Sequence, residues 1–156
     1  MANYSFEDFP PGRRFDFAKR TLTADEIIAF AREFDPQPMH MDEEAGRASI
    51  LGGLAASGWH TSAIMMRMLF DAYLDGSTSE GSPGVDSMEW KRPVLAGDTL
   101  GGHCEVLEAR ISRSRPELGI VRMRAELTNQ RGEIVAVCDY INMLRLAGKG
   151  ADHAHG

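Results

Sequence analysis

Cysteine is scarce: of 156 residues only Cys104 and Cys138 are cysteines. Both fall in strand-like segments, where they read as small packed hydrophobes rather than a disulfide. No apolar run approaches the ~20 residues that a membrane-spanning helix needs, so no helical membrane span is expected. The opening residues, Met1 to Asp8, lack the basic and apolar regions of a signal peptide, which points to a cytoplasmic protein. Positive charge is also in deficit. Seventeen Lys and Arg face 23 Asp and Glu, a formal net charge of −6, with no Lys/Arg cluster, which argues against nucleic acid as the partner. Glycine-rich phosphate loops, internal repeats and linkers are missing too. His40, His60 and His103 share no metal-ligand spacing, and His153 and His155 stand alone in a Gly/Ala/His-rich tail over 147–156 that reads as frayed. No metal or cofactor is expected.

What is present is one domain's worth of chain, 43% hydrophobic and 26% charged, an ordinary globular balance. The most informative stretch is Asp35-Pro36-Gln37-Pro38-Met39-His40. Its prolines fix φ and push each preceding residue toward extended backbone, so a stiff irregular loop is expected. A carboxylate and an imidazole on such a loop can hold one water and move protons.

Thr23-Ala24-Asp25-Glu26 has the form of a capping box, and Ile27, Phe30, Ala31 and Phe34 give the following helix one apolar face. Asp35-Pro36 ends that helix. At a helix C-terminus the dipole disfavours a carboxylate, so a raised pKa is expected for Asp35. After a short helical turn over 42–48 and the small-residue loop Gly52 to Gly58, a second helix is predicted over 59–74. It is apolar nearly all round, with Arg67 and Asp71 as its charged stripe, and is therefore expected to be buried. Its methionines fit either core packing or an adaptable pocket. Strands are predicted at Val85–Trp90, Leu100–Ala109, around Val121–Leu127 and at Ile134–Leu144. The last pair is joined by a turn at Asn129-Gln130-Arg131-Gly132, and the final strand, apolar on both faces, is expected to be central and doubly covered. Strands after helices indicate an α+β fold, an antiparallel sheet with a long buried helix against it.

Three motifs in this order resemble the MaoC-like hydratases, the R-specific enoyl-CoA hydratase family. These are Asp35-Pro36-Gln37-Pro38-Met39-His40-Met41-Asp42, the loop Gly52-Gly53-Leu54-Ala55-Ala56-Ser57-Gly58, and Trp90-Lys91-Arg92-Pro93-Val94-Leu95-Ala96-Gly97-Asp98-Thr99-Leu100. Gln37 departs from the family's usual asparagine, and Ser57-Gly58-Trp59 stands where His-Gly-Met is common. The resemblance implies a single hotdog domain over 1–146, an antiparallel sheet wrapped around a long buried central helix. It implies a homodimer or higher homo-oligomer that acts on an acyl-CoA substrate, with CoA as carrier rather than cofactor. Asp35 and His40 would be the catalytic pair, adding water to a trans-2-enoyl-CoA. Gly58, with Ser57 and Trp59, would form the oxyanion and substrate-binding segment, Trp59 reshaping the acyl entrance. Lys91, Arg92 or Arg122 could meet the CoA phosphates or be ordinary surface charges. Ser62 does not align with a family serine, and His60 reads as a helix-terminus histidine. Two alternatives stand beside this reading: a hotdog acyl-CoA thioesterase, and a non-catalytic acyl-CoA-binding or regulatory domain.

Overall fold

A computed structural model describes residues 3–148; most of the expected tail, with His153 and His155, lies outside them. Helix α1 (Ala24–Phe34) starts where the sequence predicts, the Thr23 hydroxyl accepting from the Glu26 N–H at 3.2 Å. Two short helices follow, α2 (Pro38–Met41) and α3 (Glu43–Ala48), and then the long α4 (Gly58–Leu69). Strands β1 (Arg14–Asp16) and β2 (Arg20–Thr21) precede α1, while β3 (Ser79–Gly81), β4 (Val85–Trp90), β5 (Thr99–Ile111), β6 (Leu118–Thr128) and β7 (Ile134–Arg145) follow α4.

All pairings are antiparallel. The sheet runs β1-β5-β6-β7-β3, with β2 also on β5 and β4 also on β7. One face of β5–β7 packs Cys104, Val106, Val121, Met123, Ala125 and Leu127 in one core with Ile64, Met65, Met68 and Leu69 of α4. This is the helix-in-a-sheet arrangement that the hotdog resemblance implies. Cys104 and Cys138 are buried and free.

The structure corrects several expectations. α4 is buried along a stripe rather than all round: Met66 and Phe70 are exposed beside the Arg67–Asp71 pair. The helix does not continue as α to residue 74. Phe70–Leu74 widens into a π-turn, closed by the Asp75 N–H on the Phe70 carbonyl at 2.9 Å. That turn seats Tyr73 in the core, where its hydroxyl donates to Asn142 Oδ1 and lies 3.0 Å from the Tyr140 hydroxyl. Strand β7 is central but covered fully on one face only. Its other face is half-buried and carries Asp139, paired with Arg124 of β6. Strands β1, β2 and β3 are additions to the predicted set, two or three residues each and too short to show alternation.

Candidate active site

The Asp35–His40 segment is less irregular than its prolines suggest. Asp35 is the C-cap of α1, its backbone at φ −155° and ψ 71°. Pro38 then occupies the first turn of α2, where a missing N–H leaves no intrahelical bond unmade. His40 therefore sits on a helical turn, its side chain buried under the loop that leads to α4.

Four contacts define the pair. The His40 Nδ1 lies 2.6 Å from the carbonyl oxygen of Ala55. A carbonyl can only accept, so Nδ1 carries the hydrogen, and in the neutral imidazole Nε2 holds the lone pair. Nε2 faces Asp35 Oδ2 at 3.5 Å. The same Oδ2 accepts from the Ser57 hydroxyl at 2.7 Å, while Oδ1 accepts from the Gln37 amide at 2.8 Å. These two donors hold the Asp35 carboxyl below the usual carboxylate range, the Ser57 bond contributing most and burial opposing it. The shift is opposite to the one expected from the helix dipole. Two direct donors within 3 Å outweigh partial charges at a helix end.

Ser57 and Gly58 stand at the start of α4. Ser57 is the N-cap, its hydroxyl accepting from the Trp59 N–H at 3.3 Å while donating to Asp35. The side chain is fully buried, turned to Asp35 rather than to open space. Gly58 opens the helix, so its N–H is one of the terminal donors without an intrahelical acceptor. A cavity of about 210 Å³ lies against it, lined by His40, Ala55, Gly58, Thr61, Trp90 and Val94 among others. The indole of Trp90 covers Gly58 so closely that a Cβ there would lie 2.6 Å from Trp90 Cε2. Trp90 Nε1 donates to the Ser62 hydroxyl at 3.2 Å, and Ser62 donates in turn to the Gly58 carbonyl at 3.1 Å. Trp59 is 65% exposed and meets this cavity only through Trp90, against which it packs edge-on at 5.3 Å. The aromatic wall is thus Trp90.

Of the cations, Lys91 and Arg92 line the cavity mouth, paired with Glu89 and Glu133 respectively. Arg122 is engaged by Asp86 and Glu108 and does not line it. His60 is buried and stacked on Phe30 at 4.5 Å, and burial lowers its pKa. A second cavity of about 270 Å³ runs between α4 and the strands β4 and β7, lined by Met65, Met66, Leu69, Val85, Cys138 and Tyr140 among others. Both expected roles of the methionines are therefore filled: Met68 packs in the core, and Met65 also lines a cavity. The Ala55 carbonyl and the Trp90 wall carry no assigned role in the sequence, although both residues stand inside its motifs; Gln37 is legible there as an amide in the position of the family's usual asparagine.

A family model described as MaoC like domain matches residues 6–128. An uncharacterised protein of Bacillus subtilis (strain 168) is 32% identical over 125 residues, spanning 80% of this chain and 87% of that protein. Among solved structures, a MaoC-like dehydratase from Rhodospirillum rubrum is 42% identical and superposes with a TM-score of 0.83, covering 92% of this chain and 99% of that one. An R-hydratase from Pseudomonas aeruginosa, unliganded, superposes with a TM-score of 0.75 at 22% identity, over 92% of this chain and 86% of that one, a likeness of fold.

Proposed function

Because the chain belongs to the MaoC-like domain family, we propose that it is a hydratase/dehydratase of acyl thioesters, adding water reversibly to trans-2-enoyl-CoA to give (3R)-3-hydroxyacyl-CoA. The observation that carries this reading is the pairing of Asp35 Oδ2 with His40 Nε2 at 3.5 Å, beside a cavity that ends on a free helix N-terminus. The two facing atoms are an ionised oxygen and, with Nδ1–H committed to Ala55, a lone-pair nitrogen. A water within reach of both has one hydrogen for each acceptor. Its oxygen is thereby oriented and made more nucleophilic.

In hydration that oxygen bonds to C3 as the C2–C3 π bond opens, and the displaced electron pair moves onto the thioester oxygen as an enolate. The water gives up a proton to the Asp35–His40 pair. A proton from the pair then reaches C2 on the same face, the enolate electrons forming the C2–H bond and restoring the thioester carbonyl. The sum is one water added, with no net change at the enzyme. The developing oxyanion is met by the Gly58 N–H at the positive end of α4. The apolar second cavity, farther along α4, offers room for an acyl tail. Lys91 and Arg92 at the mouth suit the carrier's phosphates.

The reading includes a homodimer. Among the described residues β4 pairs only with β7, leaving its other edge open. Trp59 and Met66 of α4, Phe70 of the π-turn and Val85 and Trp90 of β4 are large apolar side chains left exposed. The deciding experiment follows the enoyl-thioester chromophore and free thiol together over a panel of enoyl-CoAs. Chromophore loss without thiol supports hydration, thiol release favours a thioesterase, and neither leaves a binding module.

A further inference from the structure

The Asp35 carboxylate is gripped from two directions. Gln37, two residues along the chain, donates to Oδ1 at 2.8 Å, and Ser57, from the cap of α4, donates to Oδ2 at 2.7 Å. Donors on both oxygens fix the plane of the group, which a single bond would leave free to rotate about the terminal torsion. Ser57 is also bonded to the Trp59 N–H, so the carboxylate is tied to the same helix end that presents Gly58. On the proposed hydratase reading, which this inference rests on, water orientation and oxyanion binding need a fixed mutual geometry, and the Ser57 hydroxyl supplies the link.

We propose that Gln37 and Ser57 are positioning residues for the reaction, holding Asp35 as an aligned, acceptor-only anion whose orientation is tied to the start of α4. Neither touches the reacting atoms. Ser57 is buried behind Asp35, and Gln37 is exposed on the outer side of the loop. His40 is the ionisable group that faces the carboxylate, and the two donors themselves are uncharged. Both hydrogen bonds favour the ionised form, so losing either raises the pH at which Asp35 protonates. A protonated Asp35 can no longer take a proton from water, so the acid limb of the pH–rate profile should move upward with it.

The test compares wild type with Gln37→Met, which keeps the length without the donor, Ser57→Ala, and the double variant. The carboxyl carbon of Asp35 is followed by NMR through an acid titration, and kcat/KM for crotonyl-CoA hydration is measured over the same range. The Asp35 midpoint should rise in each single variant and further in the double. On the acid limb each single variant should lose roughly tenfold or more, the worth of a hydrogen bond to a charged group, while KM changes little. Ser57→Thr, which retains a hydroxyl, should leave the Asp35 midpoint closer to the wild-type value than Ser57→Ala does. An unmoved midpoint overturns the inference whatever the enzyme catalyses. A midpoint that rises while the acid limb stays in place overturns its catalytic half. Should wild type hydrate no enoyl-CoA although the midpoint rises as expected, the hydratase reading falls and the hold on Asp35 stands.

Discussion

Replacing Gly58 with alanine would put a methyl carbon where the Trp90 indole now lies. The ideal Cβ falls 2.6, 2.7 and 3.0 Å from Cε2, Cδ2 and Cζ2 of that ring. Carbon atoms rest about 3.5–4.0 Å apart, so the indole must retreat by roughly 1 Å. Trp90 is 45% exposed and can do so, but only by giving up its bond to Ser62 and its edge contact with Trp59. A net hydrogen bond is worth about 0.5–1.5 kcal/mol and an aromatic pair about the same, so the cost is roughly 1–3 kcal/mol. For a chain of this size that is ~2–12 °C in Tm. Trp59 and Trp90 are the chain's two tryptophans, so intrinsic fluorescence reads the displacement directly. Thermal unfolding of Gly58→Ala, Trp90→Ala and the double variant then forms a cycle. With the indole gone, the three closest contacts of the added methyl are gone and most of its cost should vanish. In Gly58→Ala alone, on the proposed reading, hydration should fall by about 10²–10³, the worth of one oxyanion donor, because the methyl and the moved indole would crowd the thioester's approach. If the alanine costs as much stability without Trp90 as with it, or leaves the fluorescence unchanged, the packing described for this wall is wrong.

Asp35→Asn and His40→Ala should each lower hydration by ~10²–10⁴, the double being scarcely worse than the poorer single, if one water is held by both as proposed; steady-state kinetics on crotonyl-CoA checks this. His40→Ala should also destabilise by about 1–3 kcal/mol in urea unfolding, because it leaves the Ala55 carbonyl without its donor. Burial pushes the Cys104 thiol up to about 12 and the Cys138 thiol up to about 11. Neither should therefore react with a thiol reagent near pH 8 in the native protein, and both should react in denaturant; prompt native labelling would refute the burial. Gly102, at φ +126°, has the Glu126 carbonyl oxygen 1.9 Å from where a Cβ would stand. Gly102→Ala should cost more than ~4 kcal/mol in urea unfolding, since the clash is with the neighbouring strand's backbone and cannot relax by a rotamer change.

The elements most legible in the sequence are those whose signals are local. The Thr23 cap and apolar face of α1, the alternation in β6 and the Asn129–Gly132 turn each follow from neighbours within a few positions. Asp35 and His40 are legible because two prolines lie between them, and the structure does bring the two side chains together. The surroundings of that pair were not legible, because they are assembled over longer separations. Ala55 reaches His40 from fifteen positions away, Ser57 reaches Asp35 from twenty-two, and Trp90 reaches Ser62 from twenty-eight. The sign of the Asp35 shift is hidden from the sequence for the same reason: the dipole belongs to its own helix, whereas the strongest donor comes from the cap of another. β1, β2 and β3 owe their strand character to the long β5 and β7 they lie on, not to any pattern of their own.

Trp90 is at once the last residue of β4 and a wall of the cavity at Gly58. Among the described residues strand β4 has an open edge, so whatever docks there by adding backbone hydrogen bonds would stiffen the residue that roofs the cavity at Gly58. Assembly and turnover would then share a mechanical part. Diluting the protein through its association range should change catalytic efficiency along with particle mass, and in a Trp59→Phe background the Trp90 emission should report both changes from a single side chain.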